Sequence, residues 1–329
     1  MRKSTYVSKI DKKWPAQDHD LTIVALGYEG RARFIAEFLS RSRRSDKGKL
    51  GTQIAVSFES QHEGDYSINL EWFEKNDFEV IDSTDNDYRR TVLEIVRRSV
   101  ENSDSSVLRV LIDISSLSRL RLATLLDIFV SDFPDTIFQV DFVYALAKYT
   151  PPSSSLVPNS HVGPVLKSNF TGWWDEPDRA TSAIVGLGYE PDKALGAVEY
   201  LDPAEVWTFT PQSAIGEYTG ALALANSALL ENVRPDHQFT YIVHEPMDCF
   251  LTLESLVYGV MQKRNPILLP FGPKLFALCC LLVGCVHPSV AVWRVSAQGA
   301  EPAVIRQGES DDMIYGLAAR FAPAFPVIP

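Results

Sequence analysis

The stretch Thr22-Ile23-Val24-Ala25-Leu26-Gly27-Tyr28-Glu29 returns 161 positions later as Ala183-Ile184-Val185-Gly186-Leu187-Gly188-Tyr189-Glu190. In a chain of 329 residues, that distance predicts two copies of one folding unit. Each copy is a short apolar run, then a glycine, an aromatic and a carboxylate. Helical spacing follows the first copy at Phe34, Ile35, Phe38 and Leu39. This is the pattern of a buried strand, a tight turn and a helix start, the βα turn that carries ligands in open α/β sheets. Phe78-Glu79-Val80-Ile81, with Val92 and Ile95 downstream, answers at the same offset to Phe239-Thr240-Tyr241-Ile242 with Leu253 and Leu256.

The rest of the chain alternates in the same way. Strands are predicted at 21–26, 54–58, 78–81, 107–112 and 138–145, and again at 183–187, 205–210, 239–243, 266–270 and 289–296, with helices between them. Strands separated by helices at this spacing require right-handed crossovers and largely parallel sheets. The expected fold is therefore α/β: two tandem Rossmann-like, doubly wound, mostly parallel sheets related by internal duplication. Residues 1–20 read as a polar lead-in, 21–172 as the first unit and 173–329 as the second. Pro164-Val165-Leu166-Lys167 resembles Pro302-Ala303-Val304-Ile305-Arg306, which predicts an edge strand closing each unit. Trp173 and Trp174 fall at the boundary and are expected to pack between the lobes.

Charge narrows the function classes. A formal net charge of −11 argues against a general nucleic-acid binder, which needs a basic face. Residues 1–180 hold 23 Lys/Arg against 27 Asp/Glu, and residues 181–329 only 8 against 15. So few charges predict a surface covered by a protein partner or a second copy of the chain. The 4 cysteines show no zinc spacing and no secreted disulfide framework, so they read as reduced buried thiols in a cytoplasmic protein. Ile267 to Val286 is the longest apolar stretch, but Pro270, Gly272, Pro273 and Lys274 divide it into a strand and a buried helix, and no membrane contact is expected. The histidines are scattered, and no nicotinamide, P-loop or hydrolase motif is present, so neither a metal nor a cofactor is predicted.

In a sheet of order 3-2-1-4-5, the crevice beyond strands 1 and 4 is the usual ligand seat. The first unit gathers Gly27, Tyr28 and Glu29 there beside Asp113, Ser115, Ser116, Ser118 and Arg119. The serines suit phosphate or ribose oxygens, and equally the capping of the following helix. Arg119 suits an anionic group. The second unit offers Gly188, Tyr189 and Glu190 beside Pro270-Phe271-Gly272-Pro273-Lys274. Gly272 would let a ligand approach the backbone. Lys274 opposes the helix dipole, which gives it an anion to bind or leaves it an ordinary surface lysine.

A strand, then small or hydroxyl residues, then a basic residue entering a helix, occurring in tandem Rossmann-like units, resembles the CRISPR-associated Rossmann-fold (CARF-like) domains. That resemblance implies nucleotide sensing, cyclic nucleotides bound across a dimer, a setting in bacterial antiviral defence or stress, and output through a partner protein. The Gly-Thr-Lys type of triplet found in that family is absent from both units. The first function reading is thus a sensor or regulatory protein for a nucleotide-like small molecule, acting with a partner or as an oligomer. The alternative is an enzyme cleaving a glycosidic or phosphoester bond of a nucleoside or nucleotide, with Glu29 and Asp113 as catalytic carboxylates. The basic run from Arg41 through Arg43, Arg44 and Lys47 to Lys49 reads as a solvated loop, with an anion or acidic partner as the sharper alternative.

Overall fold

The computed structural model describes residues 2–42, 51–59, 62–151, 161–166, 169–172, 176, 178–296 and 305–324. The chain forms two compact units, Met1–Lys148 together with Ala303–Pro329, and Tyr149–Pro302. The first contains β1 (Ser4–Lys9), β2 (Leu21–Leu26), α1 (Phe34–Ser42), β3 (Thr52–Phe58), α2 (Tyr66–Lys75), β4 (Glu79–Ser83), α3 (Tyr88–Glu101), β5 (Val107–Asp113), α4 (Arg119–Ser131) and β6 (Ile137–Ala145). The second contains β7 (His161–Pro164), β8 (Thr181–Gly186), α5 (Lys193–Leu201), β9 (Glu205–Gln212), α6 (Glu217–Asn232), β10 (Gln238–Ile242), α7 (Pro246–Met261), β11 (Asn265–Pro270), α8 (Lys274–Val286) and β12 (Ala291–Ser296). The last strand, β13 (Ile314–Ala322), returns to the first unit.

The sheet orders are β1-β13-β6-β5-β2-β3-β4 and β10-β9-β8-β11-β12-β7. Within each, five strands run parallel in equivalent order, β4-β3-β2-β5-β6 matching β10-β9-β8-β11-β12. The predicted doubly wound pair is therefore present. Its cause is visible in the central strands: every residue of β2 and of β11 is buried, as a parallel strand covered on both faces requires. The long apolar stretch resolves into β11 and α8, and α8 is buried from Leu275 to Cys285. No helix among the described residues is long and apolar enough to cross a membrane.

The edges differ from expectation. The polar lead-in contains β1, which pairs antiparallel with β13. The closing strand expected at 164–167 of the first unit is instead β7, ending at Pro164, and it pairs antiparallel with β12 in the second sheet. Strand β13 takes the matching place beside β6. Thus the C-terminal segment belongs to the first unit rather than the second. A parallel five-stranded core exposes the backbone groups of its fifth strand, and any nearby extended segment can satisfy them; local sequence does not say which segment will. Of the segment Pro302 to Arg306, only Ile305 and Arg306 are described, and they lie outside any strand. Trp173, Trp174, Arg43, Arg44, Lys47 and Lys49 also fall outside the described residues.

Strand register tests the repeat residue by residue. With the offset of 161 taken for the first strand, Ile23, which pairs with Ile54 and Ile112, answers to Ile184, which pairs with Trp207 and Leu268. That offset fails for the third. Ala55 pairs with Val80, while its counterpart Thr208 pairs with Gln238, an offset of 158. The Phe78–Phe239 match therefore equates the right strands in the wrong register. Because Leu268 corresponds to Ile112, the counterpart of Asp113 is Leu269, not Pro270.

Candidate functional site

The Gly-Tyr-Glu turns follow β2 and β8. Each is held by a buried asparagine from the helix after the second parallel strand. Asn69 of α2, fully buried, donates through Nδ2 to Gly27 O at 2.8 Å and Glu29 O at 2.9 Å. Its Oδ1 accepts from Arg33 at 2.7 Å. Asn226 of α6, also buried, donates to Gly188 O at 2.7 Å and to Leu222 O at 2.9 Å. These asparagines were not among the sequence candidates. The signal was there, since each sits in a buried helix stripe, with Tyr66 and Phe73 in one case and Leu222, Ala225 and Leu229 in the other. An amide in such a stripe must satisfy both of its ends.

In the first unit the turns after β2 and β5 meet. A Cβ on Gly27 would lie 4.0 Å from Ser116 Cβ and 3.8 Å from Phe58. Asp113 and Ser115 are buried. Asp113 Oδ1 accepts the Ser115 N–H at 2.8 Å, closing an Asx turn, and Ser115 Oγ accepts the Ala145 N–H at 2.9 Å. Ser118 caps α4, its Oγ accepting the Arg121 N–H at 3.2 Å. Of the three serines, Ser116 differs: its Oγ is buried without a hydrogen-bond partner. Tyr28 and Arg119 are half-buried.

Glu29 is buried, and both its oxygens face arginines. Oε2 accepts from Arg31 Nε, and Oε1 lies 3.5 Å from Arg306 Nη1. Burial opposes the Arg31 charge, but Glu29 and the Tyr144 hydroxyl outweigh it and hold its pKa above the usual guanidinium range. A carboxylate so engaged fixes cations in place more readily than it abstracts a proton. Neither arginine was a sequence candidate. Arg41, from the basic run, is exposed and pairs with Asp311 at 2.9 Å.

The second unit builds the same corner differently. Gly186 O accepts the N–H of Phe271 at 2.9 Å and of Gly272 at 3.2 Å. A Cβ on Gly272 would lie 2.6 Å from Leu187 O, so the missing side chain lets these two backbone segments pack closely. Gly188 is crowded likewise, with Glu190 Oε2 2.7 Å and Phe271 O 2.9 Å from where a Cβ would be. Lys274 is half-buried at the first position of α8, as Arg119 is at the first position of α4. Beside this turn stand three half-buried tyrosines. Tyr218 of α6 is 5.0 Å from Tyr149, edge-on, and 5.4 Å from Tyr189, with Tyr149 and Tyr189 6.5 Å apart. Tyr149 and Tyr218 are 69 residues apart in sequence and neither had a motif to mark it.

Among the described residues, no three His, Cys, Asp or Glu side chains gather as metal ligands. No protein-family model matches the chain, and no curated protein matches it significantly in sequence.

Proposed function

We propose that the second unit binds a nucleotide-like small molecule at the C-terminal edge of its parallel sheet. The supporting observation is the tyrosine cluster of Tyr149, Tyr189 and Tyr218 at the Gly-Tyr-Glu turn. Aromatic rings that keep part of their surface open offer a stacking platform worth about 1–3 kcal/mol per base. Lys274, entering α8 against its dipole, supplies a cation for the phosphate, and Glu190 an acceptor for sugar hydroxyls. The first unit supports this reading through Arg119 at the matching helix start. The arginine-engaged Glu29 and the turn-forming Asp113 give the cleavage alternative no such support.

The test is equilibrium binding of adenosine monophosphate and ribose 5-phosphate to the parent and two variants, preceded by mass spectrometry of small molecules released from the purified protein. The nucleotide should bind more tightly than the sugar phosphate, and Tyr189→Leu should remove that preference. Lys274→Ala should weaken both ligands by about 1–3 kcal/mol, the scale of a charge-assisted hydrogen bond. Equal affinities for the two ligands in the parent, unaffected by Tyr189→Leu, would refute the stacking platform.

A further inference from the structure

Two arginines of the first unit are almost fully buried, and they are satisfied very differently. Arg121 has an oxygen on every nitrogen: Asp85 Oδ1 at 2.9 Å, Ser57 O at 2.8 Å and Ser83 O at 2.7 Å. Arg31, 2% exposed, bonds Glu29 through Nε and meets the Tyr144 hydroxyl. Among the described residues, no carboxylate or carbonyl oxygen hydrogen-bonds its Nη1 or Nη2. A guanidinium has five N–H donors, and one carboxylate and one neutral hydroxyl take up only part of them. Unlike Arg121, Arg31 therefore keeps guanidinium donors that no carboxylate or carbonyl of the described residues takes up.

The second arginine is brought in by the C-terminal segment. The Arg31 N–H donates to Arg306 O at 3.1 Å, and the Lys148 N–H to Gln307 O at 2.9 Å. Gln307 Nε2 donates to Asp65 Oδ2 at 2.8 Å. A Cβ on Gly30 would lie 2.1 Å from Gln307 Oε1, so the Gln307 amide rests against the open face of this glycine. Arg306 is thus fixed at its backbone beside Arg31, and the two guanidiniums converge on the one Glu29 carboxylate.

We propose that Arg31 and Arg306 form a site for a phosphate-type oxyanion, with Glu29 as the strut that aligns them and the docked C-terminal segment as the element that completes it. A tetrahedral oxyanion matches the two terminal nitrogens of a guanidinium with two of its oxygens and leaves others for a second cation. The site does not depend on nucleotide binding by the second unit.

Calorimetric titration of the full chain with inorganic phosphate and with pyrophosphate at low ionic strength tests it. Saturable binding is expected, and Arg306→Gln, on a side chain 25% exposed, should weaken it roughly tenfold while Arg306→Lys retains most of it. Glu29→Gln removes the competing negative charge and should tighten phosphate several-fold, the opposite of its effect on a carboxylate-dependent enzyme. Thermal melting identifies a variant that has lost its fold; if Glu29→Gln does so, the Arg306 pair decides alone. No saturable binding by the parent, unchanged binding by Arg306→Gln, or weaker binding by a folded Glu29→Gln would each overturn the proposal. Arg306→Gln should leave the tyrosine-dependent preference for adenosine monophosphate intact, so the two sites fail separately.

Discussion

At the same place under the strand ends, the first unit buries a charge and the second an aromatic ring. Arg121 and Phe276 each lie two positions past the first residue of their helices, α4 and α8. Arg121 ties together β3, β4 and Asp85, and its guanidinium lies 3.7 Å from the Phe58 ring centroid and 4.6 Å from that of Tyr88. Phe276 packs instead on Tyr241, 5.2 Å away and stacked, and on Phe209 at 5.4 Å. The neighbouring strand has adjusted. A Cβ on Gly186 would lie 2.2 Å from the Phe276 ring, and the equivalent residue in the first unit is Ala25. One duplicated backbone thus supports two interiors, a directional one held by hydrogen bonds and a shape-filled one held by ring contact.

The largest effect should come from cutting the directional interior. Arg121→Met strands the carbonyls of Ser57 and Ser83 without donors and should cost about 3 kcal/mol or more. The matched change Phe276→Leu, which only loosens packing, should cost about 1–2 kcal/mol. Urea unfolding of the two variants measures both. Equal losses would mean that Arg121 acts by filling space, and the contrast between the interiors would collapse.

The asparagines should show a smaller difference in the same direction. Asn69 holds two carbonyls of its turn and also receives Arg33, whereas Asn226 holds one turn carbonyl and one in its own helix. Asn69→Ala should therefore cost about 2–3 kcal/mol and Asn226→Ala about 1–2 kcal/mol. Asn69→Ala should also weaken phosphate binding, since Glu29 O is one of the carbonyls it fixes. A larger loss from Asn226→Ala would reverse the ranking and make the second turn the more tightly specified one.

These residues also mark how far the sequence could be read. The parallel order was legible because Leu21 to Leu26 and Pro266 to Pro270 are largely apolar runs of strand length, each followed by turn chemistry, and crossover handedness leaves few arrangements of such runs. Ser118 was legible as a cap because capping is local. The sheet edges were not: β13 lies beside β6 through pairing with a segment far away in sequence, and β7 offers the same hydrogen-bonding groups to β12. The arginine pair was hidden for a similar reason. Arg31 reads as one more polar residue after a turn until the C-terminal segment places Arg306 beside it, and Tyr149 joins Tyr189 and Tyr218 only in three dimensions. Nothing in the repeat shows that Asn69 and Asn226 share a task, because they are 157 residues apart rather than 161.

Alkaline pH should separate the two units by the sign of a slope. In the first, Lys3 packs over the Phe138 ring at 4.2 Å and donates to Thr136 O. Burial lowers its pKa from 10.5 to about 8, against the pull of Asp135. Between those values the unfolded chain keeps a proton that the folded chain has released, so stability rises with pH. In the second unit, the Cys279 thiol is pushed well above 9.0 by its hydrogen bond with Cys249 and by burial. Above pH 9 the unfolded thiol ionises while the folded one stays protonated, so stability falls with pH. Burial also raises Tyr88 above 10.0, which brings a falling contribution into the first unit at higher pH and makes pH 8 to 10 the useful window. Thermal melts of Lys3→Met and Cys279→Ala at pH 8, 9 and 10 isolate the two contributions. The lysine variant should lose stability with pH faster than the parent, and the cysteine variant more slowly. Parallel slopes for the parent and both variants would show that these buried groups do not set the alkaline response of either unit.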